Sequence, residues 1–391
     1  MIKTDTVLIL GAGASMDYGF PSGKDLIEDI INYLHGNIAS IFPLKKKFCV
    51  ALTLQKYCEM ELQDNRTLYD CYVKVENFQR ALRYASPASI DDFIHKNRED
   101  GFDVIGKICI ALSISSYEKE NEDFFTMQTS TGQNHRYFDK LPHLLKEHLE
   151  IRDGWYQYLW EKIYEGCDNI EDSLRRLLFI TFNYDRSLEY FLYTRLINMM
   201  GMSPDKASEV FRESVFIYHV YGQIGYLKWQ GNNVHENPYR PLKLDRLFEH
   251  IPIGFAPEDI EKQSDQIISK LESKDSDCVV QVLSLAKGIR TYTETSIPTE
   301  QNFPLRLLHP KNIFFLGFGY HPQNLEWLRN LLVDTNGTLY GTTYGCGKHE
   351  AIKITCKLHE VFPSATLRQE PFLTSSQYKI KEYFSHVMDI V

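Results

Sequence analysis

The stretch Thr6-Val-Leu-Ile-Leu-Gly-Ala-Gly-Ala-Ser15 decides the fold that this sequence predicts. An apolar run without polar alternation is typical of a central parallel strand that is buried on both faces. Gly11 and Gly13 follow this run, and a segment with helical spacing begins at about Lys24. Glycines after such a strand let the backbone approach a diphosphate, which free amides and a helix start would bind. The pattern favours nucleotide binding, and the alternative is a strand-loop-helix unit whose glycines serve the turn alone.

Two common nucleotide-binding motifs do not fit this stretch. The dinucleotide fingerprint has a third glycine three residues after the second, and this chain has Met16 there. The fingerprint also needs an acidic residue at the end of the next strand, whereas residues 30–32 continue an apolar helical pattern. The phosphate-loop motif needs Ser or Thr after its Gly-Lys pair, and Gly23-Lys24 is followed by Asp25. An ordinary hydride-transferring dehydrogenase is therefore disfavoured.

Composition narrows the class of protein. At 391 residues, with 43% apolar and 13% aromatic residues, the chain can bury an ample globular core. A net charge of -9 and a single short basic run, Lys45–Lys47, argue against direct binding to nucleic acid. No apolar run approaches the roughly twenty residues that cross a bilayer. The eight cysteines contain no Cys-x-x-Cys pair and no signal peptide is evident, so we expect reduced thiols, a cytoplasmic location and no bound metal.

The rest of the chain predicts an α/β fold of the Rossmann-like type, a parallel sheet with helices on both faces, plus a large helical insertion. Residues 1–40, 170–230 and 305–391 form the predicted nucleotide-binding core. Residues 41–169 contain helical patterns and form the predicted helical insertion. Residues 231–304 are polar and rich in proline, and form a second insertion that is irregular or helical.

Four of the predicted strands end abruptly in glycine or polar residues. Ligands of an open parallel sheet bind beyond the carboxyl ends of its strands, so these residues should share one rim. Each residue also has an ordinary structural explanation: Asn183 could cap a helix, Asp185 could complement a helix dipole, and His219 could be a satisfied core histidine. The residues expected at the rim are Gly11, Gly13, Ser15, Asn183, Asp185, His219, Gly222, Gly317 and Gly319.

Five short motifs in this order resemble the sirtuin-like family, in its bacterial antiphage-defence branch rather than among the protein deacetylases. The similarity covers roughly a third of the chain and does not extend to the two insertions. Members of this branch are in some cases paired with an ATPase of the HerA type. The motifs are Gly11-Ala-Gly-Ala-Ser15, Gly19-Phe-Pro-Ser22, Thr181-Phe-Asn-Tyr-Asp185, His219-Val-Tyr-Gly222 and Leu316-Gly-Phe-Gly319.

The resemblance implies a role for each matching residue. Asn183 and His219 would be catalytic, with Asn183 on the nicotinamide ribose and His219 as the base toward a ribose hydroxyl or water. Asp185 would lie near the carboxamide of NAD. Imidazole suits this role because it titrates near neutrality. The remaining residues of the implied NAD-binding set are Gly11, Ala12, Gly13 and Ser15 at the diphosphate and its ribose, Gly317 and Gly319 at the adenosine half, and Phe20.

The chain departs from the deacetylase pattern in two places. Deacetylases carry aspartate, phenylalanine and arginine after the glycine-proline turn, where this chain has Ser22, Gly23 and Lys24. They also carry a four-cysteine zinc domain, which this cysteine spacing cannot build. That domain helps to shape the cleft for acyl-lysine, so its replacement by a helical insertion favours a closed small-molecule site with water as the nucleophile.

These observations predict an NAD+ glycohydrolase that releases nicotinamide and ADP-ribose and depletes NAD+ during abortive infection. NAD+ would be the substrate. The resemblance further implies a homo-oligomer that is switched on by a partner ATPase or helicase or by a phage-derived trigger, without direct nucleic-acid or membrane binding. The alternatives are an NAD-dependent protein deacylase or ADP-ribosyltransferase, and a non-catalytic regulatory module that binds NAD or ADP-ribose.

Overall fold

The fold was analysed in a computed structural model of the chain. The structure describes residues 2–35, 41–120, 154–166, 168–227, 229–230, 276–298, 304–332, 335–368 and 378–388. The predicted helix at 141–151 and the predicted polar loop at 126–135 lie outside these residues, as does most of the second insertion.

The centre of the molecule is a six-stranded parallel sheet flanked by helices, which confirms the predicted α/β class. Its strand order is β3-β2-β1-β4-β5-β6, the order of a doubly wound nucleotide-binding fold. The first strand lies in the middle, so its glycine loop is at the point where the strand order reverses. The strands are β1 (Thr6–Leu10), β2 (Leu177–Thr181), β3 (Phe216–His219), β4 (Asn312–Leu316), β5 (Thr338–Gly341) and β6 (Thr366–Leu367).

The apolar runs form the strands that the sequence predicts. Strands β1, β2 and β4 are buried at every residue, because helices cover the sheet where they lie. Strand β3 is only half-buried and lies at the sheet edge, one residue further along than predicted. Strand β5 is shorter than the predicted segment 337–343. Strand β6 was not predicted, since two residues carry no readable periodicity.

The helices start and end where capping residues direct them. Ser22 caps α1 (Gly23–Leu34) by accepting a hydrogen bond from the amide of Asp25, whose carboxylate binds the Ser22 amide in return. Ser89 caps the predicted helix that follows it, α4 (Ile90–Lys96). The other helices are α2 (Ile41–Tyr57), α3 (Leu68–Ala85), α5 (Phe102–Glu120), α6 (Trp155–Tyr164), α7 (Ile170–Leu174), α8 (Ser187–Asn198), α9 (Pro204–Ser214), α10 (Ser276–Lys287), α11 (Pro322–Leu331), α12 (Lys348–Val361) and α13 (Ile380–Met388).

The described helices of the two predicted insertions pack together. Helix α10, from the second insertion, contacts α2 and α5 of the first, and α1 of the core contacts α2, α3 and α5. Helix α6 instead packs on α8 and α13, beside the sheet. By its contacts, α6 therefore belongs with the sheet, although the sequence placed it in the helical insertion.

A buried ion pair joins the helical region to the sheet. The Arg186 guanidinium donates from Nε to Glu118 Oε1 at 3.2 Å and from Nη2 to Glu118 Oε2. The two side chains are 1% and 3% exposed. Arg186 Nη1 also donates to the carbonyl oxygen of Gly225 at 3.3 Å. Because Arg186 directly follows Asp185, this pair ties α5 to the segment that carries a predicted site residue.

The loops after β1 and β4 cross in direct backbone contact. The Gly13 amide donates to the Gly317 carbonyl oxygen at 3.1 Å. A Cβ atom on Gly11 would lie 2.5 Å from the Gly317 oxygen, and one on Gly317 would lie 2.3 Å from the Ala14 nitrogen. Gly317 also has φ +56°, which a residue with a side chain adopts only under strain. The glycines of both motifs are therefore needed for this crossing.

We expect Gly317→Ala to destabilise the protein by ~2 kcal/mol or more, because it combines a left-handed backbone with a backbone clash. Gly23→Ala is the matched control, since a Cβ atom there would meet no atom within 4 Å. Chemical denaturation followed by circular dichroism measures both variants. A Gly317→Ala protein as stable as Gly23→Ala would show that the two loops do not cross in this way.

Candidate active site

The parallel register brings the predicted rim residues together. Leu10 pairs with Thr181, and Thr181 pairs with His219, so β1, β2 and β3 end at the same level. Asn183 and Asp185 follow β2 directly and are both buried. Ser15 lies in the loop after β1 and is also buried. The structure thus gathers Ser15, Asn183, Asp185 and His219, as the sequence predicts.

Asn183 is held against the glycine loop by its amide nitrogen. Its Nδ2 donates to the Gly11 carbonyl oxygen at 3.0 Å and to Ser15 Oγ at 2.9 Å. Its Oδ1 atom is buried and accepts no hydrogen bond within the described part of the chain. An unpartnered buried acceptor costs free energy, so a ligand hydroxyl that donates to Asn183 Oδ1 would gain a hydrogen bond there. Asn183 is not a helix cap, since α8 begins four residues later.

Asp185 receives hydroxyl hydrogen bonds from two directions. Its Oδ1 accepts from the Ser187 amide at 3.0 Å and from Ser187 Oγ. Ser15 Oγ also donates to the Asp185 carboxylate. Burial raises the pKa of Asp185 and outweighs these hydrogen bonds, which lower it. Because Ser187 Oγ donates to Asp185, it accepts from the Tyr156 hydroxyl, 2.9 Å away.

His219 has an acceptor at each ring nitrogen. Its Nδ1 lies 2.9 Å from the Asn183 carbonyl oxygen, and its Nε2 lies 2.6 Å from Glu189 Oε1. The His219 and Glu189 side chains are 8% and 2% exposed. Burial lowers the pKa of His219, but the charge and hydrogen bond of Glu189 and the Asn183 carbonyl together raise it above its ordinary value. Both ring nitrogens face acceptors, which favours an imidazolium paired with the Glu189 carboxylate.

Glu189 and Tyr156 are site residues that the sequence reading missed. Glu189 lies in the first turn of α8, four residues after Asp185, where it could be taken for a solvated helix position. Tyr156 lies in a helix that was assigned to the insertion. The signal available was the position of Glu189 in the first turn of a helix that starts two residues after Asp185.

Helix α6 is fixed over the glycine loop by its first two residues. Trp155 Nε1 donates to the Ala14 carbonyl oxygen at 2.8 Å, and the Tyr156 amide donates to the Tyr18 hydroxyl at 2.7 Å. The rings of Tyr18 and Tyr156 stack with centroids 3.9 Å apart. A Cβ atom on Gly154 would lie 2.4 Å from the Tyr18 hydroxyl, so only glycine permits this approach.

A small cavity of about 10 Å³ lies among these residues. This volume is enough for about one water molecule. Tyr156 and Leu188 form part of its wall, so α6 and α8 close the rim in this conformation. The lining residues are Leu10, Ser15, Tyr156, Thr181, Asn183, Asp185, Leu188, Glu189 and His219.

The glycine loop differs from the expected diphosphate cradle. It forms two short 3₁₀ turns, Ala12–Ala14 and Met16–Tyr18, and α1 starts only at Gly23. The amides of Gly11, Gly13, Ala14 and Ser15 all donate to backbone carbonyl oxygens. Within 11–15, the Ala12 amide alone makes no backbone hydrogen bond in the described chain. The loop therefore offers few free donors, because its own turns use the Ala14 and Ser15 amides, and β4 and its loop use those of Gly11 and Gly13.

The other residues of the implied NAD-binding set lie around this loop. Phe20 is buried, and its amide donates to the Ser15 carbonyl oxygen at 3.3 Å. Gly317 forms the crossing, and a Cβ atom on Gly319 would lie 3.1 Å from the His321 ring. Neither residue extends the small cavity. Tyr320, between Gly319 and His321, has φ +52°, which marks a strained turn after β4.

Comparison of the chain with family models, with curated proteins and with solved structures finds no match. Across the described residues, no group of three His, Cys, Asp or Glu side chains is placed to hold a metal ion. In the same part of the chain, no helix combines the length and apolar character needed to cross a membrane.

The Glu189–His219 pair should make stability depend on pH. The pKa of His219 is raised above 6.5. Protonated His219 therefore contributes its full stabilisation to the folded state below pH ~6.5. This stabilisation is lost as the pH rises through the folded-state pKa of His219. We expect the Tm of the wild type to fall more between pH ~6 and ~9 than that of His219→Gln, which cannot titrate. Thermal melts in matched buffers test this, and parallel curves would contradict the charged pair.

Proposed function

We propose that the chain is an NAD+ glycohydrolase that cleaves NAD+ to nicotinamide and ADP-ribose. The observation that carries this proposal is the meeting of Asn183, Asp185 and the Glu189–His219 pair at the carboxyl rim of a parallel sheet, beside the glycine loop. These groups come from β2, β3 and α8, and ligands of such sheets bind at this rim. The motifs that resemble the sirtuin-like defence family lie at the same rim.

The chemistry of the rim suits the cleavage of a nicotinamide–ribose bond. Departure of nicotinamide leaves positive charge on the ribose, and the Asp185 and Glu189 carboxylates would stabilise that charge in a buried site. The free Oδ1 of Asn183 would accept a hydrogen bond from a ribose hydroxyl. Hydrolysis also requires a water molecule as the nucleophile, and the cavity of about 10 Å³ has room for about one.

The closed rim supports low activity in the resting protein. A cavity of about 10 Å³ cannot admit a nicotinamide ring, so Tyr156 or another wall residue has to move before NAD+ enters. Tyr156 belongs to α6, which also contacts α13 and α8. We therefore propose that self-assembly, a partner ATPase or a phage-derived trigger opens the rim in the cytoplasm, and that the resulting loss of NAD+ serves antiphage defence.

Nicotinamide release from NAD+, followed by chromatography, tests the reaction. We expect His219→Ala to slow release by ~100-fold or more, because it removes the charged partner of Glu189 from the site. Asn183→Ala should act in the same direction, because it removes the hydroxyl acceptor. His309→Ala, at an exposed histidine, is the matched control.

The outcomes of this experiment separate the candidate functions. Release of nicotinamide with free ADP-ribose supports a hydrolase, whereas ADP-ribose attached to protein indicates a transferase. If calorimetry shows NAD+ binding but no assembly condition gives nicotinamide release, the chain is a regulatory module without catalytic activity. Wild-type turnover in folded His219→Ala would remove the site assignment.

Regulation by assembly gives a separate prediction. If assembly opens the rim, the rate of NAD+ cleavage per protomer should rise with protein concentration. Light scattering and nicotinamide release measured on the same samples test this. A monomer with full, concentration-independent turnover would contradict control by assembly.

A further inference from the structure

Glu189 is the least expected group in the site. It is a carboxylate in the first turn of α8, 2% exposed, with its Oε1 atom 2.6 Å from His219 Nε2. A buried carboxylate requires compensation, and the paired imidazolium and the helix N-terminus both supply positive charge. Its place on the cavity wall puts it beside the space where water would lie.

His219 has no free lone pair in this arrangement. Its Nδ1 proton is donated to the Asn183 carbonyl oxygen, and its Nε2 proton is donated to Glu189. A protonated imidazole with both nitrogens engaged cannot accept another proton. The second carboxylate oxygen, Glu189 Oε2, takes part in no hydrogen bond within the described chain. It is therefore the available basic atom of the pair.

We propose, on the basis of the NAD+ glycohydrolase function, that Glu189 is the catalytic base and that His219 is its positively charged partner. In the step, the bond between ribose C1′ and the nicotinamide nitrogen breaks, and its electron pair stays on nicotinamide. The oxygen of water bonds to C1′, and the proton that water loses passes to Glu189 Oε2. Solvent later removes that proton, which restores the ion pair.

The groups around the pair are compatible with this assignment. Asp185, on the loop after β2, is the nearest other carboxylate and holds hydrogen bonds from Ser15 and Ser187. Tyr156 faces the cavity from α6, and its hydroxyl is committed to Ser187. Tyr156 therefore offers no competing base, and at Asp185 the Oδ1 atom is occupied by the Ser187 amide and hydroxyl.

Two substitutions separate the roles of Glu189 and His219. Glu189→Gln keeps the shape and an acceptor for Nε2 but cannot take a proton, so we expect a ~100-fold or greater loss of kcat across the whole pH range. His219→Gln removes the positive charge that is paired with Glu189 but leaves the Glu189 carboxylate in place. Its activity should therefore fall less than that of Glu189→Gln at every pH. Glu209→Gln, at an exposed glutamate of α9, is the matched control.

A second measurement does not depend on turnover. Nitrogen-15 NMR of the His219 ring should show both nitrogens protonated at neutral pH in the wild type, and loss of one proton in Glu189→Gln. Near-UV circular dichroism checks that each variant is folded. If Glu189→Gln fails to fold, Glu189→Asp, which withdraws the carboxylate by one methylene, replaces it in both experiments.

The results distinguish failure of this assignment from failure of the proposed function. A wild type that releases no nicotinamide under any assembly condition overturns the function, and the assignment of Glu189 with it. Wild-type cleavage that persists in folded Glu189→Gln overturns Glu189 alone. A greater loss of activity in His219→Gln than in Glu189→Gln, or a wild-type ring with one unprotonated nitrogen, returns the role of base to His219.

Discussion

The crossing of the loops after β1 and β4 is the constraint on which the site depends. Gly11, Gly13 and Gly317 approach so closely that no side chain fits between the two backbones. This contact fixes the carbonyl oxygen of Gly11, which in turn holds the amide of Asn183. The hydrogen bonds from Asn183 to Ser15, and from Ser15 to Asp185, continue from that anchor. A shift of the crossing would therefore displace the whole row of polar groups.

The sequence was sufficient to predict the sheet because its signals are local. The apolar runs of β1, β2 and β4 are fully buried, and the capping residues Ser22 and Ser89 mark helix starts within their own turns. Strand β6 has only two residues, too few to show a period. The packing of α6 against α8 and α13 was also not predicted. An amphipathic pattern shows that one face of a helix is buried, but it does not show which element covers that face.

The site was predicted in part, for a related reason. Asn183, Asp185 and His219 follow apolar strands, so strand register alone brings them to one rim. The partner of His219 could not be predicted in this way. Glu189 lies 30 positions away in the chain, and only the path of α8 beside β3 decides that the two side chains meet. The acceptors of the glycine-loop amides could not be read from the sequence for a similar reason, since they include Gly317 in the β4 loop.

The buried Arg186–Glu118 pair couples the helical region to the segment beside the candidate site. Removal of either partner takes away the ion-pair partner of a buried charge, a change that typically costs about 3–5 kcal/mol. Glu118 and Arg186 can therefore be replaced together, by apolar residues of similar volume, far more readily than one at a time. A protein in which the helical region is replaced by another would therefore also need a replacement for Arg186, the residue next to Asp185. A change in the helical region would in this way leave a trace in the sequence next to Asp185.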